Sequence, residues 1–348
     1  MAGSGRLVGD GIENPANARA LMDAAAMFGV SCCFRDTRGL ARVWDIKRGG
    51  QLDLIETTEL IAPSLPIVAV ENTPAAASIF GAALPAANSS IVVGGERVGV
   101  RGDLLRAAAR HVKIPMSGRG VNTLNVAAAG AVALYYLFGA RGLVQRQAKR
   151  PDERRPTILL SGPSDHVETG SAIRSAAAFG WRTVGLDDSN RVWFGVSRAM
   201  TSEGRAAARA HRNFTRVVPT RIDGNLGFRR VVVAGANVDG PPIHRVDLTG
   251  GRDTLLVIPD EEGRSERDFS ELGGSVLRAR VELPSVAFPY RYRLIASIVL
   301  AEAARQTGAR SARGPRLPVR RGLTYKSALE TVAAGVADVV DPTDLNTY

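Results

Sequence analysis

Residues 14–29 read NPANARALMDAAAMFG, and residues 165–180 read DHVETGSAIRSAAAFG. At one constant offset Ala25, Ala26, Phe28 and Gly29 return as Ala176, Ala177, Phe179 and Gly180. Working outward, Arg42-Val43-Trp44 is echoed by Arg191-Val192-Trp193, and Ile91–Glu96 by Leu256–Glu261. A further pair sets Val112-Lys113-Ile114-Pro115 against Val281-Glu282-Leu283-Pro284. Matches kept in order, with spacing that drifts only slightly, are the trace of a tandem duplication with small insertions. Each half alternates β-branched runs with helical patterns. Ser31–Phe34, Ile67–Val70 and Ile91–Val93 in the first half read as buried parallel strands, as do Thr157–Leu160, Thr183–Leu186, Val231–Ala234 and Leu255–Ile258 in the second. Helices are expected over Ala18–Phe28, Ala75–Phe80, Val126–Ala140 and Leu294–Ala304. The fold class is therefore α/β, with two tandem parallel-sheet domains.

The chain has 348 residues, 45% of them hydrophobic and 23% charged, which suits two globular cores and excludes a disordered or fibrous protein. Forty-five basic residues against 34 acidic ones give a net charge of +11, which favours anionic partners, nucleic acid first. Nearly all of the basicity is Arg in an Ala- and Gly-rich chain, a composition that a GC-rich genome also produces; that bias explains Arg over Lys but not the surplus itself. The only cysteines, Cys32 and Cys33, are adjacent and would point to opposite faces of a strand, so a disulfide framework and a cysteine zinc site are excluded. The four histidines lack ligand spacing, and no metal site is expected. The longest apolar run, Val126 to Ala140, is shorter than the ~20 residues of a bilayer span, and the N-terminus shows no signal-peptide pattern. A cytoplasmic protein without membrane contact is expected. Boundaries fall at 1–144 for the first domain, 145–156 for a charged linker and 157–308 for the second domain. A basic tail, 309–348, ends in a helix candidate with the capping-box pattern Ser327-x-x-Glu330.

Three ordered motifs in the first half resemble those of the SpoU/TrmH branch of the SPOUT, or trefoil-knotted, RNA methyltransferases. The first is Asn14-Pro15-x-Asn17 leading to Ala25-x-x-Phe28-Gly29. The second is Gly94-Gly95-Glu96-x-x-Gly99. The third runs from Ile114-Pro115-Met116-x-Gly118 through Asn122-Thr123-Leu124-Asn125-Val126-Ala127, and it is the most specific. The resemblance covers about residues 8–140 well and 157–308 weakly. It implies an α/β-knot fold, a pocket for S-adenosylmethionine lined by Gly94, Gly95, Glu96, Gly99, Ile114, Pro115, Met116, Asn122, Thr123, Leu124 and Asn125, and an RNA substrate, rRNA or tRNA. Glycines permit close main-chain approach, Pro115 stiffens its turn, and Asn122 and Asn125 are suited to fixing loops.

The copies depart from the family pattern in complementary ways. Where family members carry a catalytic Arg in the first motif, the first half has Asp23, and Arg19 replaces a Gly. The second half keeps both, as Gly170 and Arg174, with Glu168 where Asn is usual. Its own cofactor motifs are degenerate, with Pro259 in place of Gly94 and the bulky Phe288, Tyr290 and Tyr292 in its third motif. Because the family usually works as homodimers, the resemblance implies an intramolecular pseudo-dimer, monomeric as a chain. It would hold one composite site, with Arg174, Glu96 and Asn17 as the catalytic candidates. Asp23 is then a candidate ion-pair partner for Arg174, and Glu96 either positions groups or accepts a proton. Ribose 2′-O-methylation of RNA is the leading reading. A small-molecule or peptide O-methyltransferase and a non-catalytic RNA-binding relative stay open.

Overall fold

The computed structural model describes residues 5–47, 65–81, 88–117, 124–139, 155–208, 215–222, 224–260, 269–284 and 290–308. The 309–348 tail, with its Ser327–Glu330 pattern, and most of the 145–156 linker lie outside them. Contacts divide the chain into two units: residues 1–115 with 125–147 and 282–294, and residues 116–124 with 148–281 and 295–348.

In the first unit, β1 (Arg6–Asp10), β2 (Ser31–Arg35), β3 (Ile67–Val70), β4 (Ala77–Ser78), β5 (Ser90–Gly94) and β6 (Arg110–Lys113) form one sheet in the order β2-β1-β5-β3-β6-β4. Every pairing is parallel. The inner strands β1, β3 and β5 are buried on both faces, as continuous β-branched runs require. On one face Val8, Val92, Ala69 and Ile67 pack against Val100 and Leu104, the latter from the short helix α3 (Gly102–Ala107); α2 spans Leu40–Lys47. On the other face lie α1 (Pro15–Met27) and α4 (Val126–Leu134), where Gly130 sits against Leu21 and Leu7. Asn14 and Asn125 cap these two helices by accepting from Ala16 N at 2.8 Å and Ala127 N at 2.9 Å. The expected Val126–Ala140 helix becomes a π-helical turn after Leu134.

In the second unit, β7 (Thr157–Ser161), β8 (Thr183–Asp187), β9 (Arg216–Pro219), β10 (Phe228–Gly235), β11 (Thr254–Pro259) and β12 (Gly273–Arg280) form a parallel sheet ordered β12-β10-β11-β7-β8-β9. Leaving aside the edge strands β4 and β9, both sheets place their five remaining strands in one shared order, second-first-fourth-third-fifth by chain position. The helices of this unit are α5 (His166–Ala178), α6 (Arg198–Ala208) and α7 (Tyr292–Thr307), the last assigned to it from Ile295 onward.

Two sequence expectations are corrected. Ala75–Phe80 is not a helix: Ala77 and Ser78 pair with Val112 and Lys113, and Ile79 N donates to Lys113 O at 2.9 Å. The edge of β6 supplies partners that outweigh the helix propensity of an alanine run. The third repeat is also out of register. Val70 pairs Val112 and Ala234 pairs Ala279, so Ala279 rather than Val281 is the counterpart of Val112. A slip of two residues keeps the same side chains inward, which is why the patterns still matched. Among the described residues no helix is long and apolar enough to cross a membrane.

Candidate functional site

The carboxyl ends of parallel strands are where open α/β sheets collect ligands. Asn17, in the first turn of α1, donates its amide to Glu96 Oε1 at 2.6 Å, and the backbone N–H of Glu13 donates to Glu96 Oε2 at 3.2 Å. Asn17 Oδ1 in turn accepts from Asn125 Nδ2 at 2.9 Å, and Asn125 caps α4. Three residues singled out in three separate motifs thus form one line of hydrogen bonds within the first unit. Both oxygens of Glu96 accept from donors, an arrangement suited to holding Asn17 still.

The glycine turn is built differently from what the sequence suggested. A Cβ on Gly94 would overlap the Gly99–Val100 peptide, and one on Gly95 would overlap the carbonyl of Gly11. Close approach at these two positions is made by the protein's own backbone. Gly99 lies at φ +71°, the left-handed region, and its N–H closes the turn onto Gly95 O at 2.9 Å. Beside it stands Glu71, just past β3, whose carboxylate accepts from Val100 N at 2.8 Å and Asn72 N at 3.0 Å. Sequence reading missed Glu71. The available signal was an acidic residue directly after a buried β-branched run. Since β5, β3 and β6 are neighbours in the sheet, Gly94, Glu71 and Ile114 leave adjacent strand ends. Deeper in the unit, Arg35 bridges Asp10 at 2.7 Å and Asp103 at 2.5 Å, and Asp10 also accepts from Arg101 N at 2.9 Å, which pins the segment after the glycine turn.

The remaining site candidates are distributed as follows. Ile114, buried, and Pro115, half-buried, belong to the first unit; Met116 and Leu124 are assigned to the second. Gly118, Asn122, Thr123 and Phe288 lie outside the described residues, while Tyr290 and Tyr292 are buried. In the second unit Arg174 is half-buried on α5 and donates to the carbonyl of Leu124 at 3.3 Å. Glu168 sits in the first turn of α5, capped by Asp165, where a negative charge meets the positive helix end. Gly170 serves packing: a Cβ there would overlap the carbonyl of Gly204 on α6.

Asp23 is engaged within the first unit. One of its oxygens is 3.5 Å from Arg19, and the other pairs with Arg291, a residue that falls in the first unit. In the second unit, Asp260 accepts from both the N–H and the hydroxyl of Ser164 at 2.7 Å.

Residues 5–135 match the model of a family described as the SpoU rRNA Methylase family. The resemblance to the SpoU/TrmH branch of the SPOUT proteins therefore holds for this part of the chain. No curated protein matches the chain. Among solved structures it is similar to a protein studied for 2-OH methylation on tRNA (25% identity, TM-score 0.33), over 40% of this chain and 96% of that one. It is also similar to an RNA 2'-O ribose methyltransferase (28% identity, TM-score 0.33), over 41% of this chain and 58% of that one. A third is an AdoMet-bound rRNA methyltransferase from Sinorhizobium meliloti (17% identity, TM-score 0.33), over 40% and 58% respectively.

Proposed function

We propose that the chain is an S-adenosylmethionine-dependent RNA methyltransferase acting on a ribose 2′-hydroxyl of rRNA or tRNA. The observation that carries this reading is the Glu96–Asn17–Asn125 line of hydrogen bonds, lying wholly inside the region matched by the SpoU rRNA Methylase family. The residues fit the donor: Glu71 and Gly99 shape a rigid polar turn, and buried Ile114 supplies an apolar wall at the next strand end but one. Gly94, Gly95, Glu96, Gly99, Ile114, Pro115, Met116, Asn122, Thr123, Leu124 and Asn125 would hold it. When bound, the donor supplies an electrophilic methyl group on a sulfonium. Asn17 orients a polar group of the substrate, and Glu96 keeps Asn17 in place. Arg174 binds the substrate phosphate and orients the hydroxyl; a guanidinium stays protonated, so its part is charge and geometry rather than proton removal. One site serves the whole chain, because Pro259 stands where the first copy has Gly94.

Methyl transfer from labelled S-adenosylmethionine to total RNA, followed by nucleoside mapping, tests the reading. The expected product is a 2′-O-methyl nucleoside, with one donor bound per monomeric chain by calorimetry and sedimentation. Arg174→Ala should slow transfer by about a hundredfold with donor affinity kept, and Arg174→Lys should rescue poorly. Arg19→Ala should matter little, since Arg19 is half-exposed and, among the described residues, pairs with Asp23. Arg19→Ala abolishing activity while Arg174→Ala spares it would reverse these assignments. A second reading, a non-catalytic RNA-binding relative, is favoured by Asp23, which is committed to Arg19 and Arg291 where the family has its Arg. It predicts RNA binding without transfer.

A further inference from the structure

We propose that the segment after β8, residues 188–198, is a binding surface for single-stranded RNA, made by the Arg191 guanidinium and the rings of Trp193 and Phe194. The inference rests on the reading that the chain acts on RNA.

The duplication itself isolates the feature. In the first copy Asp36 gathers the N–H groups of Arg38 (3.3 Å), Leu40 (2.7 Å) and Ala41 (2.9 Å), the chain passes directly into α2, and Trp44 is 1% exposed. In the second copy Asp188 does the same for Val192 (2.8 Å), Trp193 (3.1 Å) and Phe194 (2.6 Å), but α6 begins only at Arg198. The repeated Arg-Val-Trp therefore lies in a loop, and Trp193 and Phe194 are half-buried rather than buried.

This loop is held rigidly in an unusual shape. Arg191, at φ +54°, is the one described non-glycine residue in the left-handed region, and its N–H donates to Asp188 O at 2.9 Å. Such a conformation is unfavourable for a residue with a Cβ and persists only where the surroundings fix it. Asn190 provides that fixing, donating its amide to the carbonyls of Gly162 at 2.8 Å and Pro163 at 3.1 Å. One edge of the Trp193 indole lies against Gly204, where a Cβ would stand 3.0 Å from the ring. The glycine that lets α6 approach α5 also seats this ring.

The charges around the loop select the partner. Arg191 and Arg198 are exposed, and so is Met200. The neighbouring acids are engaged: Asp187 is buried, Asp188 faces three N–H groups, and Glu203 binds His166 at 2.9 Å. Fixed rings beside exposed guanidinium groups suit unpaired bases, which stack on the rings while the phosphates meet Arg. A duplex keeps its bases stacked inside and offers the rings nothing.

The test uses the full chain and a short, fluorescently labelled, mixed-sequence single-stranded RNA, with its duplex as control. Of three tryptophans, Trp44 and Trp181 are 1% and 2% exposed, so RNA bound at this loop should quench the emission of Trp193 selectively. Trp193→Phe should abolish the quenching and hold affinity within about twofold, because a stackable ring remains. Arg191→Gly tolerates the left-handed backbone and should weaken binding several-fold, lowering the salt slope by about 0.7. S-adenosylmethionine binding, measured by calorimetry on the same preparations, should be unchanged. The inference is overturned by no binding of the single strand, by tighter binding of the duplex, by binding without quenching, or by Arg191→Gly matching the parent. Failure of the parent chain to bind the methyl donor strikes instead at the methyltransferase reading, and leaves the RNA titration to judge the loop.

Discussion

Replacing Glu96 separates a scaffold from a base. Its two oxygens accept from Asn17 Nδ2 and Glu13 N, at 2.6 and 3.2 Å. Hydrogen bonds to a charged acceptor contribute about 1.5–3 kcal/mol each when buried, but Glu96 is exposed and the second bond is long, so Glu96→Ala should cost about 2 kcal/mol in all. For a unit of this size that lowers Tm by about 5 °C. Methyl transfer should fall by about one to two orders of magnitude, since Asn17 loses the group that orients it. Glu96→Gln keeps one accepting oxygen and turns an amide N–H toward a donor, so it should lie between parent and Ala in both stability and rate. The assay is urea unfolding alongside methyl transfer across a pH series, and the shape of the pH–rate curve should be common to all three proteins. If Glu96→Gln removed the acid limb of that curve and slowed transfer by more than about a hundredfold at unchanged stability, Glu96 would be the proton acceptor and the positioning argument would fall.

Gly170→Ala should destabilise the second unit by about 1–2 kcal/mol in urea unfolding, although the same change in an open helix stabilises by about 1, because the new methyl meets the Gly204 carbonyl. A double-mutant cycle on Asp23 and Arg291 should give a coupling of about 1 kcal/mol, and the cycle on Asp23 and the half-exposed Arg19 a few tenths; equal couplings would contradict the geometry. Burial pushes the Asp188 carboxyl above its ordinary range despite three N–H donors. With the folded value above the unfolded one, the native state binds the extra proton, so this group's contribution to stability falls as pH rises from the unfolded pKa through the folded one. Asp188→Asn should flatten that part of the stability–pH curve; an unaltered slope would refute the assignment.

What the sequence revealed depended on how far each signal was local. Ile67–Val70 is a strand as read, and the Ala18–Phe28 pattern is found within α1, because burial on both faces and a helical period leave marks within a few residues. Ala75–Phe80 misled because the partner that decides its conformation, β6, lies more than thirty residues away. The Val112–Val281 match slipped by two for the reason that parallel strands repeat every two residues. Glu71 and Asp188 escaped notice since a carboxylate that gathers backbone N–H groups has no periodicity at all.

The second unit, whose sheet shares the strand order of the first, then supplies a control that no single domain offers. Ser164 is the counterpart of Glu13, and its N–H is captured by Asp260, one residue before Glu261, the aligned partner of Glu96. A tie between these two loops thus exists in both units, although only the first has Asn17 and the glycine turn. A contact kept where the pocket motifs are lost is a property of the scaffold. What distinguishes the first copy is the extension of that tie through Asn17 to Asn125 and the cap of α4. In the proposed methyltransferase the orienting role would then fall to Asn17, with Asn125 and the carboxylate of Glu96 behind it.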